Sequence, residues 1–244
     1  ALQVVAGLLG GENRKTPPAA AAGGLAGIIN LTPGASNQWA VSSNRTTTGK
    51  PLLANDTHMS VAVPALWYQV HLEGGRYHVA GVSFPGAPGV MVGHNQRCAW
   101  GLTTAWQDAQ DLFIERFNPD NPAEYEFQGA WQPVETLHEV ITVKGRSEAV
   151  VEAVRITRHG PLVHDWLALN APVALRWTAL EHSDMLAAVL GYNRAANWQE
   201  FRAALAHWAV PAHNFIYADV DDHIGYLQAG WMPRRAAGHG MAPV

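Results

Sequence analysis

The sequence is poor in charge, in cysteine and in long apolar runs. Only 15% of its 244 residues are charged and the formal net charge is −4, so no basic face for nucleic acid is expected. The longest apolar run, Ala19 to Ile29, is shorter than the ~20 residues that cross a bilayer, so no membrane partner is expected. Cys98 is the one cysteine, which excludes internal disulfides and cysteine-rich zinc sites.

Apolar and turn-forming residues are plentiful. Hydrophobic residues make up 48% of the chain, and it contains ten Trp, 23 Gly and 15 Pro. This content excludes disorder over the whole length. A chain of this size can also bury a core without disulfides.

The two ends of the sequence look unfinished. It begins at Ala1 without an initiator Met or a signal-peptide pattern, and it stops at Val244 after a loop-like stretch. We expect the chain to be a piece of a longer protein. Residues 1–35, rich in Ala, Gly and Pro, are interpreted as the end of a spacer or linker, and residues 36–244 as an incomplete part of a larger chain.

Residues 36–180 are predicted to be rich in β-strands. Turn signals at Gly49, Gly74-Gly75, Gly129 and Gly145 separate short runs of β-branched and aromatic residues. The predicted strands include Trp39–Val41, Pro51–Asn55, Leu66–Glu73, Tyr77–Phe84, Gly89–Gly93, Cys98–Thr104, Asp111–Phe117, His138–Lys144 and Glu148–Arg158. Their spacing indicates antiparallel sheets.

The last third of the chain combines helices with a final hairpin. Met185 to Leu190 is a helix-compatible run, and Asn197 with Glu200 forms a capping-box pattern ahead of Phe201, Leu205 and Trp208. A hairpin is predicted across Asp221-Asp222. The predicted fold class is therefore α+β.

Several sequence blocks share an order and spacing with a known family. These blocks are Ser36 to Val41, Thr48 to His58, Pro88 to Asn95, Ala99 to Thr103, Asp108 to Asp111, Asn214 to Asp219 and Ile224 to Tyr226. Together they make the chain from Ser36 to Val244 resemble the start of the catalytic chain of the penicillin amidase (penicillin acylase) family.

The resemblance implies a fold and a maturation step. Members are N-terminal-nucleophile hydrolases with a four-layer αββα sandwich, of which this chain would hold a part. They are exported precursors that cut themselves to free a serine at the start of the larger chain. Here the implied scissile bond is Ala35–Ser36, and the implied partner is the smaller chain of the same precursor. The implied location is the periplasm or the medium.

Elementary chemistry explains why such a cut would activate Ser36. A serine hydroxyl needs a base to become a nucleophile. A free α-amino group has a pKa of ~7.7–8.0, which suits a general base near neutral pH. Once Ser36 is N-terminal its own amine can take the hydroxyl proton, whereas an amide nitrogen cannot.

Two further catalytic positions follow from the resemblance. His58 matches a residue that helps to hold the amino group of the nucleophile; a loop histidine with local hydrogen bonds is the alternative. Thr104 matches the residue whose main-chain N–H donates to the oxyanion. The resemblance places a second donor, an Asn side chain, and a nearby Arg beyond Val244.

The resemblance also implies a metal site and an acyl pocket. Asp108, Asp111 and the main-chain carbonyl of Gln110 match ligands of a structural Ca²⁺, although spacing alone favours a solvated acidic pair. Met59 and Met91 match positions lining the acyl pocket, and ordinary core packing is the alternative. No organic cofactor is expected.

Three functions remain open from the sequence. The leading one is an acylase that hydrolyses N-acylated small molecules, such as β-lactams with an acyl side chain or N-acyl homoserine lactones, through an acyl-enzyme on Ser36. The second is a conventional serine hydrolase that uses Ser36, His58 and an Asp without cleavage. The third is a β-rich binding or assembly module without catalytic activity.

Overall fold

The computed structural model describes residues 36–59, 61–167 and 169–235. The predicted spacer, residues 1–35, lies outside the described residues. The chain divides into two compact units. Among the described residues, one unit holds 36–107 and 181–232, and the other holds 108–180 and 233–235.

Fifteen strands and three α-helices are present in the part of the chain that the structure describes. The strands are β1 Ser36–Val41, β2 Leu52–Thr57, β3 Tyr68–Gly74, β4 Tyr77–Ser83, β5 Val92–His94, β6 Cys98–Thr104, β7 Gln110–Ile114, β8 Glu124–Phe127, β9 Ala130–Pro133, β10 Glu135–Ile141, β11 Val150–Thr157, β12 Gly160–Pro161, β13 Val173–Trp177, β14 His213–Asp219 and β15 Ile224–Ala229. The helices are α1 His164–Leu167, α2 Met185–Arg194 and α3 Trp198–Leu205, with 3₁₀ turns at Ser43–Arg45 and Thr178–Leu180.

The unit of residues 36–107 and 181–232 is built on a six-stranded antiparallel sheet. Its strand order is β15-β14-β6-β5-β4-β3. One face packs against α2 and α3 through a buried aromatic cluster. The cluster comprises Trp100, Tyr192, Phe201, Phe215 and Tyr217, each at most 1% exposed. Aromatic rings of this size contribute most of the apolar area that such a core buries.

A separate hairpin of β1 and β2 contacts the sheet at β6 and β14. Side chains alternate between the faces of a strand. Trp100 and Leu102 belong to the core on the helix side, whereas Gly101 contacts Asn55 of β2. The hairpin therefore covers the face away from the helices, which gives this unit successive α, β and β layers.

The other unit consists of small antiparallel sheets. β7 pairs with β13, β8 with β9, and β11 with both β10 and β12. Glu115 of this unit is only 5% exposed and accepts hydrogen bonds from the Thr157 hydroxyl at 2.5 Å and from His159 Nδ1 at 2.9 Å. His159 in turn stacks on Phe113 with ring centroids 4.1 Å apart. The two hydrogen bonds give the buried Glu115 carboxylate its partners. Burying that carboxylate without partners would be energetically costly.

Most predicted elements are confirmed, and the α+β class with them. The Asn197 side chain caps α3 by accepting the Glu200 N–H at 2.9 Å, and the Glu200 carboxylate accepts the N–H of Ala196 at 3.0 Å. The strand predicted over Gly89–Gly93 lies at Val92–His94 instead. β13 was not predicted, because its partner β7 lies some 60 residues earlier in the chain. None of the described helices has the length and apolar character to cross a membrane.

Candidate active site

Ser36 is the first residue of β1 and is half-buried. The register of the hairpin places it opposite Thr57, the last residue of β2. Because His58 directly follows Thr57, the strand pairing brings Ser36 and His58 to the same end of the hairpin. The sequence predicted both residues for one site, and the hairpin brings them to one place.

The ring of His58 contacts two polar neighbours. Its Nε2 lies 2.8 Å from Asp56 Oδ2 and 3.4 Å from Asn37 Nδ2. Within the described residues, no hydrogen bond joins this ring to the Ser36 hydroxyl. His58 and Asp56 are both exposed, so their pairing is worth little as a source of stability. Its effect is to orient the imidazole beside the start of β1.

Asn55 joins the hairpin to the large sheet. Its Nδ2 donates to the Asn37 carbonyl at 3.1 Å and to the Leu102 carbonyl at 3.0 Å, while its Oδ1 accepts the Leu102 N–H at 3.1 Å. One side-chain amide thus binds both main-chain groups of a β6 residue and the residue after Ser36. It replaces the backbone pairing that the hairpin and the sheet do not make here.

Gly101 permits this approach. A Cβ atom at Gly101 would lie 2.6 Å from the Cβ of Asn55 and 2.8 Å from its Cγ. No side chain fits in that space without displacing the amide. Asn55 and Gly101 lie in blocks that resemble the family, but their sequence predicts no role for them because their contact spans strands that are distant in the chain.

The main-chain N–H of Thr104 faces the same edge of β6 as the Asn55 amide. In an antiparallel ladder, neighbouring residues direct their main-chain groups to opposite edges. The Ala105 N–H donates to the Ala212 carbonyl at 3.1 Å, so Ala105 faces β14 and Thr104 faces away from it. Leu102, two residues earlier, also faces away and binds Asn55. The Thr104 N–H therefore faces the edge of β6 at which Asn55 attaches the hairpin, and its role as an oxyanion donor stays a prediction.

A polar network lies beside Thr104 on the hairpin side of the sheet. The Tyr226 hydroxyl donates to Asn214 Oδ1 at 2.7 Å, and Asn214 Nδ2 donates to the Thr103 hydroxyl at 3.2 Å. Opposite Thr104 on β14 lies His213, whose pKa is lowered by burial, with a hydrogen bond to the Pro211 carbonyl opposing the shift. His213 is therefore uncharged near neutral pH and adds no positive charge at this end of β6.

The two methionines occupy different environments. Met59 is half-exposed, just after His58. Met91 is buried in the core, where its carbonyl accepts the indole N–H of Trp100 at 3.0 Å and its sulfur lies 3.5 Å from the Tyr192 hydroxyl. The core-packing alternative accounts for Met91, and a role in acyl binding stays a prediction for both.

The predicted metal ligands lie in the other unit, on and before β7. Asp108 is half-exposed, and Asp111 is buried, with a side chain 8% exposed. Both carboxylates pair with Arg235, a residue that no sequence pattern singles out. The main chain of Gln110 lies opposite Trp177 in the β7–β13 ladder. Calcium binding stays a prediction, and the cation that the structure places between these acids is a guanidinium.

Cys98 is not a candidate nucleophile. Burial raises the pKa of its thiol to about 12, against a smaller opposing effect of the hydrogen bond to Asn95. A thiol with such a pKa carries almost no thiolate at neutral pH. Asn95 directly follows β5, and its Oδ1 accepts the main-chain N–H groups of Arg97 and Cys98, each at 2.8 Å.

Comparison with known proteins places this geometry in context. The acyl-homoserine lactone acylase QuiP of Pseudomonas aeruginosa is 34% identical over 233 residues, which cover 90% of this chain and 27% of the relative. Penicillin G acylase of Escherichia coli is 33% identical over 234 residues, covering 95% of this chain and 27% of the relative. The chain therefore spans about a quarter of the length of these curated relatives.

A solved structure resembles the fold described above. The thermostable penicillin G acylase from Alcaligenes faecalis matches with a TM-score of 0.72 and 28% identity, over 82% of this chain and 36% of that one. The α+β fold is thus part of the N-terminal-nucleophile hydrolase sandwich. The family model described as penicillin amidase matches residues 2–244. The chain belongs to the penicillin amidase family.

Proposed function

We propose that the protein is an acylase in which Ser36, freed by autocatalytic cleavage of the Ala35–Ser36 bond, hydrolyses the amide bond of an N-acylated small molecule. The observation that carries the proposal is the bridge made by Asn55. It holds β1 one residue from Ser36 and β6 two residues from Thr104. Nucleophile and oxyanion donor are thereby attached to one rigid support, as acyl transfer requires.

In the acylation step, the Ser36 hydroxyl oxygen attacks the amide carbonyl carbon. The hydroxyl proton passes to the α-amino group of Ser36, directly or through a water molecule. The carbonyl oxygen becomes an oxyanion, which accepts a hydrogen bond from the Thr104 N–H. As the C–N bond breaks, the α-ammonium returns the proton to the leaving amine, and the acyl group stays as an ester on Ser36.

Hydrolysis of this ester repeats the same proton transfers. The α-amino group takes a proton from water, whose oxygen attacks the ester carbonyl. The second tetrahedral intermediate again places its oxyanion at the Thr104 N–H. The C–O bond to Ser36 then breaks, the hydroxyl recovers its proton, and the carboxylic acid leaves. His58, whose ring lies 2.8 Å from Asp56, would hold the amino group during both steps.

The relatives support a choice of substrate class. Their printed names include acyl-homoserine lactone acylase and penicillin G acylase, which share an amide between an acyl group and a small amine. We therefore place the substrate among N-acyl homoserine lactones and acylated β-lactams. Met59, half-exposed beside His58, would contact an apolar acyl group.

Apolar exposure supports the proposed partner, the smaller chain of the same precursor. Val61 and Val63 are fully exposed, and Tyr68 of β3 is 64% exposed. A contiguous apolar stretch of this kind usually marks an interface. Export to the periplasm or the medium belongs to the same proposal.

Purification of the full natural protein tests the pairing of the two chains. We expect two chains that co-purify after cleavage, and a single uncut chain would contradict the pairing.

The activity test compares Ser36→Ala with Ser42→Ala in the full natural protein. Ser42 Oγ bonds locally to Asn44 and lies outside the proposed machinery. Loss of a serine nucleophile costs about 10⁶-fold in kcat, so Ser36→Ala should remain uncut and inactive with an unchanged circular dichroism spectrum. Full activity in Ser36→Ala, or none in the wild type on either substrate class, would refute the proposal.

The contact between Asp56 and His58 favours a second candidate, a conventional Ser–His–Asp hydrolase. In that mechanism His58 is the base and Asp56 fixes its tautomer, as the acid of a triad does. Replacing the acid in such a triad costs about 10⁴-fold in kcat. If Asp56→Asn causes a loss of that size and the active chain still contains the Ala35–Ser36 bond, the second candidate replaces the first.

A further inference from the structure

The carboxylates of Asp108 and Asp111 lie around a single guanidinium. Arg235 Nε donates to both carboxylate oxygens of Asp111, at 2.9 and 3.0 Å. Arg235 Nη2 lies 3.2 Å from Asp108 Oδ2 and donates to the Asp108 main-chain carbonyl at 3.2 Å. One side chain thus engages the two carboxylates and one carbonyl of the stretch in which a metal site was predicted.

This arrangement is well suited to a lasting ion pair. The Asp111 side chain is 8% exposed and that of Arg235 20% exposed, so solvent screens the pair only weakly. A buried carboxylate is costly unless it is paired and hydrogen-bonded. The hydrogen bond to Asp111 is the largest cause that raises the pKa of Arg235, and the guanidinium is charged at every working pH.

The same residues do not fit a calcium ion as they are placed. Ca²⁺ needs six to eight oxygen ligands at about 2.3–2.6 Å, and both oxygens of Asp111 already face the guanidinium. A divalent cation at those oxygens would stand against a like charge. In residues 36–59, 61–167 and 169–235, no group of three or more His, Cys, Asp or Glu side chains could hold a metal.

We propose that Arg235 is the built-in cation of the Asp108–Asp111 pair. It neutralises the two acids and fixes the stretch before β7 without a metal ion. A divalent cation would bind these carboxylates only by displacing Arg235. The inference concerns the unit of residues 108–180 and 233–235 and does not depend on the proposed acylase reaction.

The test is a double-mutant cycle in the full natural protein, using Asp111→Asn and Arg235→Gln. Thermal unfolding is measured once in EGTA and once in millimolar calcium. We expect each single variant to unfold several degrees lower and the double variant hardly lower than either one, in both buffers. Additive losses, or a coupling that vanishes when calcium is added, would overturn the proposal. Arg234→Gln, an exposed neighbour, is the control and should unfold like the wild type.

Terbium luminescence gives a second readout on the same variants. Tb³⁺ substitutes for Ca²⁺, and its luminescence is sensitised by a nearby indole. Trp177 can supply that indole, because it lies opposite Gln110 in the β7–β13 ladder. We expect the wild type and Asp111→Asn to give equal signals, and Arg235→Gln to gain a signal. A wild-type signal that Asp111→Asn abolishes would show that metal binds beside Arg235 and would refute displacement. Arg235→Met, which also removes the charge but keeps an unbranched side chain, serves if the glutamine variant does not fold.

Discussion

The side-chain amide of Asn55 binds both main-chain groups of Leu102, through hydrogen bonds of 3.0 and 3.1 Å. The two residues are 47 positions apart, on strands that belong to different sheets. Because Asn55 also binds the carbonyl next to Ser36, this contact sets where the proposed nucleophile lies relative to the edge of β6. The hairpin and the sheet are joined by one side chain at the point where the chemistry would occur.

Replacing Asn55 with Asp should reduce catalysis more than binding. A carboxylate has nearly the same shape but cannot donate to the carbonyls of Asn37 and Leu102. A misplacement of about 1 Å can cost 10²-fold, so we expect kcat to fall by about that factor with KM little changed. Asn44→Asp, at an exposed asparagine of the same unit, is the matched control. Equal kinetics for Asn55→Asp and the wild type would show that the bridge does not position Ser36.

Substituting Gly101 with Ala should disturb the same bridge from the opposite side. The added Cβ would lie 2.6 Å from that of Asn55, so the amide must move away from β6. Overpacking of this kind costs about 1–3 kcal/mol in the free energy of unfolding, and kcat should fall as well. Urea denaturation with steady-state kinetics measures both effects. Gly74→Ala, where nothing lies within 4 Å of the new atom, should change neither.

The thiol of Cys98 should resist alkylation until the protein unfolds. Burial raises its pKa to about 12 in the folded state, whereas an exposed cysteine has a pKa of about 8.5. Between these values the folded state keeps a proton that the unfolded state loses, so this group's contribution to stability falls as the pH rises from about 8.5 to 12. The rate of iodoacetamide labelling at pH 9, followed by mass spectrometry, measures how readily the Cys98 thiol is alkylated. Rapid labelling of the native protein would contradict the burial of the thiol.

The pH dependence of activity should follow the α-amino group of Ser36. That amine acts as a base only when it is uncharged, and its ordinary pKa is about 7.7–8.0. We therefore expect kcat/KM to rise with pH through roughly this range and then level off. Acetylation of the free α-amine should abolish the activity. An acetylated enzyme that stays fully active would show that another group is the base.

Local signals predicted much of the fold, and long-range contacts account for what they missed. The cap formed by Asn197 and Glu200 depends on residues three apart, so it was visible in the sequence. The bridge from Asn55 to Leu102 and the pairing of Arg235 with Asp111, 124 residues apart, arise only when distant strands meet. Those two contacts decide how the site is positioned and which cation neutralises the predicted metal ligands.

Ser36 and Thr104 could be predicted because their neighbours match family blocks. Their relation in space could not, since it depends on which edge of β6 the Thr104 N–H faces. That edge follows from the ladder with β14, in which Thr104 is paired with His213. No property of the residues near Thr104 in the sequence encodes this register.

The proposed mechanism requires Ser36 to be a free N-terminal nucleophile in the active protein. The most direct measurement is peptide mass spectrometry of the full natural protein after reaction with a serine-directed sulfonyl fluoride that abolishes its activity. We expect a chain that begins at Ser36 with the sulfonyl group on that residue. A modified peptide in which Ala35 is still joined to Ser36, or a sulfonyl group on another residue, would contradict it.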